Sequence, residues 1–217
     1  ISVNDITAVN FKSEGGVMLN NLTVPSGLIG KNWEGKFVQK RYYCSSNISS
    51  HYKMGPGNSI SFLVKVYYNM GVCPAIWLFP VSPNGDNEEF FKENYREVDL
   101  LESYANKESE LHKVLQSFHF NIPTNRKLNN HSFTKKGLFD EKVLFTLDWH
   151  KNKFVFRING IITGINCIRR EDWREMNIIL STAINKRRLA YLDDDLLLPV
   201  NSFIGGLEIF KFKISTL

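Results

Sequence analysis

Glu97, Asp99 and Glu102 fall within one short apolar run, Glu97-Val98-Asp99-Leu100-Leu101-Glu102. The apolar neighbours are good core residues, so the run reads as a strand in a packed sheet. Side chains alternate along a strand, which puts Glu97 and Asp99 on one face. Strict alternation would send Glu102 to the other. One extra residue at Leu100-Leu101, a β-bulge, brings it back. The two glutamates would then stand about 13 Å apart along the strand. Side chains leaning together could close that gap to roughly 5–5.5 Å, the carboxyl separation used to cleave a glycosidic bond with retention. The alternative is a polar strand face open to water. Three like charges with no basic residue among them repel, which makes such a face less common.

Elements able to position the run surround it. Ser59–Tyr68 and Cys73–Pro80 are apolar strands on either side of a turn at Met70-Gly71. Val114–Asn121 reads as a strand after the carboxylate run, which extends to Tyr104. Lys142–Trp149 and Lys153–Ile158 form a hairpin around His150-Lys151-Asn152, and Asn159-Gly160 turns into Ile161–Ile165. Met176–Ile184 and Phe203–Ile214 close the chain as strands. Earlier, Val17-Met18-Leu19, Leu28-Ile29 and Phe37–Tyr43 are strand candidates. Ser45–Gly57 and Pro123–Gly137 read as polar loops, and Glu171–Glu175 as a short helical turn. Short strands separated by turns, with no sustained helical period, indicate an all-β sandwich.

The 217 residues suit a single domain spanning 1–217. Hydrophobic content of 43% and aromatic content of 13% exclude a disordered chain. No apolar run reaches the length of a membrane span. The net charge is +5, but the basic clusters at Lys40-Arg41, Lys135-Lys136, Arg169-Arg170 and Lys186-Arg187-Arg188 are scattered. That pattern is solvated surface charge rather than a nucleic-acid face. Cys44, Cys73 and Cys167 allow at most one internal disulfide and match no zinc spacing.

In this order the segments resemble glycoside hydrolase family sixteen, the laminarinase, lichenase and agarase-like enzymes. Glu97–Glu102 is similar to that family's E-x-D-x-x-E signature. Cys73-Pro74-Ala75-Ile76-Trp77-Leu78-Phe79-Pro80 resembles its W-P-A-x-W-x-L-P strand. Ser117-Phe118-His119-Phe120 resembles the histidine-bearing strand that follows. Phe145–Trp149 with Phe154–Ile161 is similar to its late hairpin. The likeness runs from about Gly15 to Phe212. Three departures stand out. Cys73 replaces a Trp, Ser61 and Leu63 replace an E-x-R pair bearing on the sugar subsites, and Gly205-Gly206 replaces a calcium-holding Asp.

The resemblance implies a concanavalin A-like jelly roll, a β-sandwich of two curved antiparallel sheets with a concave cleft. It implies a retaining endo-acting β-glycoside hydrolase, or a transglycosylase, on a β-linked polysaccharide such as a β-1,3-glucan. Glu97 would be the nucleophile, Glu102 the general acid and base, and Asp99 their assistant. His119 would hydrogen-bond into the carboxylates. Trp77 and Trp149 would be sugar platforms, since pyranose faces pack on aromatic rings. Tyr95 and Tyr104 would line the rim. The partner would be a polysaccharide, with no cofactor and no bound metal, in a secreted or surface-associated setting whose signal segment is not in this chain. A glycan-binding or structural coat protein that has lost turnover is the alternative from a different class.

Overall fold

The computed structural model describes residues 9–12, 16–31, 37–80, 96–103, 105, 108–122, 125–169, 174–184 and 202–217. Its strands in chain order are β1 (Val9–Phe11), β2 (Val17–Lys31), β3 (Phe37–Cys44), β4 (Asn47–Met54), β5 (Asn58–Tyr67), β6 (Val72–Pro80) and β7 (Arg96–Glu102). They continue as β8 (Lys113–Ile122), β9 (Asn125–Thr134), β10 (Val143–His150), β11 (Lys153–Ile158), β12 (Ile161–Cys167), β13 (Met176–Ile184) and β14 (Phe203–Thr216). One sheet has the order β1-β2-β14-β5-β10-β11-β12, with β3 joined to β2. The other has the order β4-β13-β6-β7-β8-β9. All strand pairs are antiparallel. The architecture is a β-sandwich jelly roll. No helix among the described residues is long and apolar enough to cross a membrane.

Period-two sequences build the core. On β5, Ile60, Phe62, Val64 and Val66 are buried while the intervening side chains are half-buried. On the neighbouring β10, Val143, Phe145, Leu147 and Trp149 are buried on the same side. The six-stranded sheet contributes Ile76 and Leu78 from β6, Val98 from β7 and Phe118 from β8. Phe118 meets Phe154 of β11 edge-on at 5.3 Å, and Trp149 meets Phe154 at 4.9 Å. The Phe118–Phe154 contact joins the two sheets, while Trp149 and Phe154 are cross-strand neighbours within one, each contact adding about 0.5–1.5 kcal/mol beyond its buried area.

Two expected loops are strands. Asn47–Met54 and Asn125–Thr134 form β4 and β9, the two edges of the six-stranded sheet. An edge strand is paired on one side only, and β4 alternates exposed and half-buried residues with only Met54 buried. Its sequence therefore carries little apolar alternation to read. The stretch expected as a helical turn lies largely outside the described residues. Gly205 and Gly206 are required by close approach. Gly205 has φ +148°, and a Cβ on Gly206 would sit 2.1 Å from the Leu19 carbonyl oxygen of β2.

Candidate active site

The carboxylates sit on β7, in the middle of the six-stranded sheet. Against β6, Leu78 pairs with Val98 and Trp77 with Asp99, and then Ile76 pairs with Leu101 and Ala75 with Glu102. Leu100 is skipped. Against β8, Asp99 pairs with Ser117 and Glu102 with Leu115, three steps on β7 against two on β8. One extra residue is therefore inserted, the bulge expected at Leu100-Leu101. Its cause is the pair of consecutive leucines. Both are fully buried, and an unbulged strand would have to turn one of them to solvent. Burying both returns Glu102 to the outer face with Glu97 and Asp99.

Neighbouring strands complete that face. His119 on β8 lies opposite Glu97. Its Nε2 is hydrogen-bonded to Asp99 Oδ2 at 3.0 Å and stands 3.7 Å from Glu97 Oε1. The polar atoms of Glu97, Asp99 and His119 lie within 4.8 Å of one another. Ser103, next after Glu102, ties down the end of the strand. Its N–H donates to the Pro74 carbonyl at 3.1 Å and its hydroxyl to the Lys113 carbonyl at 3.0 Å.

Trp77 shares the outer face of β6 with Cys73, Ala75 and Phe79. Its Nε1–H donates to Ser181 Oγ on β13 at 3.0 Å, and Phe79 packs edge-on at 5.7 Å. The indole is thus pinned on two sides. Cys73 stands two residues from Ala75, the partner of Glu102. Lost solvation first, then the nearby charges of Glu102 and Asp99, push its thiol far above the usual range. The thiol is neutral and unbonded to another cysteine. Alternation along β6 could have placed Cys73 beside the acids. Nothing in the sequence pointed to Ser181, which reaches Trp77 from a distant strand.

Trp149 requires correction. It lies on the inner face of β10, in the eight-stranded sheet, and is fully buried. Its ring belongs to the core and offers no surface to a sugar. Ser61 and Leu63 also lie on the eight-stranded sheet, on strand positions that alternate with the core residues Ile60, Phe62 and Val64. They point away from the sandwich interior on the side opposite the carboxylates, so that departure does not touch the site. Tyr95 and Tyr104 lie outside the described residues.

No protein-family model and no curated protein sequence matches the chain. Solved structures do match its fold. LamAcat from Zobellia galactanivorans superimposes with a TM-score of 0.70 at 14% identity, covering 98% of this chain and 81% of that one. The κ-carrageenase of Pseudoalteromonas carrageenovora, in complex with a carrageenan tetrasaccharide, gives 0.68 at 14% identity, covering 95% and 82%. The endo-β-1,3-glucanase of Pyrococcus furiosus gives 0.64 at 11% identity, covering 96% and 77%. At these identities the likeness is one of fold, and the chain has the jelly-roll fold of these glycanase structures.

Proposed function

We propose that the chain is an endo-acting β-glycoside hydrolase that works with retention of configuration on a β-linked polysaccharide, a β-1,3-glucan in the first instance. The observation that carries the reading is the single-residue bulge in β7, which accompanies three carboxylates on one strand face. In the first step a Glu97 carboxylate oxygen attacks the anomeric carbon and the glycosidic C–O bond breaks. Glu102 gives its proton to the departing oxygen. In the second step water attacks the same carbon, Glu102 takes its proton, and Glu97 leaves as a carboxylate. Asp99 and His119 form the hydrogen-bonded pair beside the nucleophile, and Asp99 steadies the charge there. Trp77 is the platform for a sugar ring. Support for the glucan comes from the β-1,3-glucanase among the fold neighbours, and the carrageenase keeps galactans in view.

A glycan-binding coat protein on the same fold is favoured by one observation. Cys73 and Ala75 put small side chains, not an aromatic ring, beside Glu102. Incubation with β-glucans, galactans and chito-oligosaccharides separates the two. Products from the wild type and none from Glu97→Gln support the enzyme. Binding without release by the wild type supports the coat protein.

A further inference from the structure

Beneath the carboxylates, on the inner face of β8, lies a polar side chain that the reaction does not use. Gln116 is fully buried in an otherwise apolar core. Its amide nitrogen donates to the carbonyl of Leu100, the bulged residue of β7, at 3.1 Å. A bulge interrupts the ladder and leaves backbone groups without their usual strand partners. A buried carbonyl left so is costly, and Gln116 satisfies this one.

The other end of the amide is also held. The Thr163 hydroxyl lies 2.5 Å from Gln116 Oε1, and 3.3 Å from the Phe156 carbonyl. Thr163 is on β12, at the edge of the opposite sheet. Across β11, Phe156 pairs with Gly164 and Arg157 with Ile162, so Thr163 is itself an inserted residue. One glutamine therefore spans the sandwich between two bulges, one in each sheet. A buried amide with both ends bonded is rigid, and its loss would leave polar groups unpaired on both sides.

We propose that Gln116 is a positioning residue that holds the β7 bulge in the register placing Glu102 for proton transfer, with Thr163 fixing Gln116 in turn. The inference rests on the assignment of Glu102 as acid and base. Glu97 precedes the bulge and Glu102 follows it, so any slackening of Leu100 moves Glu102 relative to Glu97. A displacement of about 1 Å at a reacting group can cost about a hundredfold in rate. Neither Gln116 nor Thr163 reaches the outer face, so neither touches a sugar.

The test compares substrates that differ in their need for a proton. Gln116→Met keeps the volume and removes both bonds. It should lower kcat on a β-glucan by roughly 10–100-fold with KM within about twofold. On an aryl β-glycoside whose leaving group departs unprotonated, formation of the glycosyl-enzyme should fall by less than about threefold. Thr163→Val, on the far sheet, should show the same pattern at roughly 3–10-fold. This variant also serves if Gln116→Met does not fold. A parallel fall on both substrates, or no fall on either, overturns the proposal. Should the wild type cleave neither substrate, the glycosidase reading fails, and amide hydrogen exchange over 100–103 still decides on Gln116. Exchange at least about tenfold faster in the variants supports its hold on the bulge, and unchanged exchange overturns it.

Discussion

The outer faces of the two sheets both carry acids, and they use them differently. On the eight-stranded sheet, Asp148 accepts from Arg157 Nε at 3.1 Å and from the Ser59 hydroxyl at 2.7 Å. Glu208, nearly buried, is paired with Lys12 and accepts from the Tyr67 hydroxyl at 2.7 Å. Each of those acids is tied to a lysine or arginine. On the six-stranded sheet the described partner of Asp99 is the imidazole of His119, and a neutral thiol stands beside Glu102 and Asp99. An acid tied to a lysine or arginine fastens chain segments together. An imidazole can donate or accept a hydrogen bond, so an acid bonded to one is held without fixing where the proton sits.

Glu102→Gln should blur this contrast most. It keeps the length of the side chain and removes the proton that the proposed acid supplies. Turnover on a β-glucan should fall by at least about a hundredfold, with the fold intact. Turnover assays and circular dichroism check both outcomes. A folded variant with wild-type turnover would mean that Glu102 is not the acid.

Asp148→Asn should sharpen the contrast from the other side. It keeps the shape and removes the charge that Arg157 and Ser59 hold. Two hydrogen bonds to the buried carboxylate are weakened, and because Arg157 is partly exposed the expected loss is about 1–2 kcal/mol. That is roughly 2–8 °C in melting temperature for a chain of this size. Turnover should stay within about twofold. A large loss of activity with no change in melting would move the functional face to the other sheet.

Ser181→Ala tests the pinned indole of Trp77. Losing one hydrogen bond worth about 0.5–1.5 kcal/mol should raise KM roughly 2–10-fold with kcat nearly constant. Ser181→Thr, which keeps the hydroxyl, should restore it. Equal falls in kcat for both variants would remove Trp77 from the substrate platform.

The smallest effect concerns Cys73. Its thiol is held neutral in the folded protein well above its ordinary range. In the unfolded chain it ionises near pH 8.5. Below that pH both states hold the proton and the contribution to stability is complete. Above it the unfolded chain releases the proton first, so stability declines as pH rises. Denaturant titrations from pH 8 to 10 should fall more steeply for the wild type than for Cys73→Ser. Equal slopes would mean that neither burial nor the carboxylates hold the proton on the thiol.

Much of this was legible in sequence, for definite reasons. Interior strands such as β5 and β10 show plain alternation because both neighbours and the core constrain them. The β7 bulge was legible because two adjacent leucines interrupt a polar alternation. The polar edges β4 and β9 were read as loops because one-sided pairing demands little apolar pattern. Trp149 was misread because the resemblance put it in the cleft, whereas its alternation with the apolar Val143, Phe145 and Leu147 sets it on the core face of β10. Gln116 and Ser181 were invisible, since each acts on a residue that only the fold brings near.

The configuration of the first product formed decides whether Glu97 and Glu102, on either side of the β7 bulge, act as a retaining pair. Proton NMR during early hydrolysis of a β-glucan by the wild type should show the β-anomer first, with the α-anomer growing only as mutarotation proceeds. An α-anomer formed first would mean a single displacement by water and would contradict the role given to Glu97.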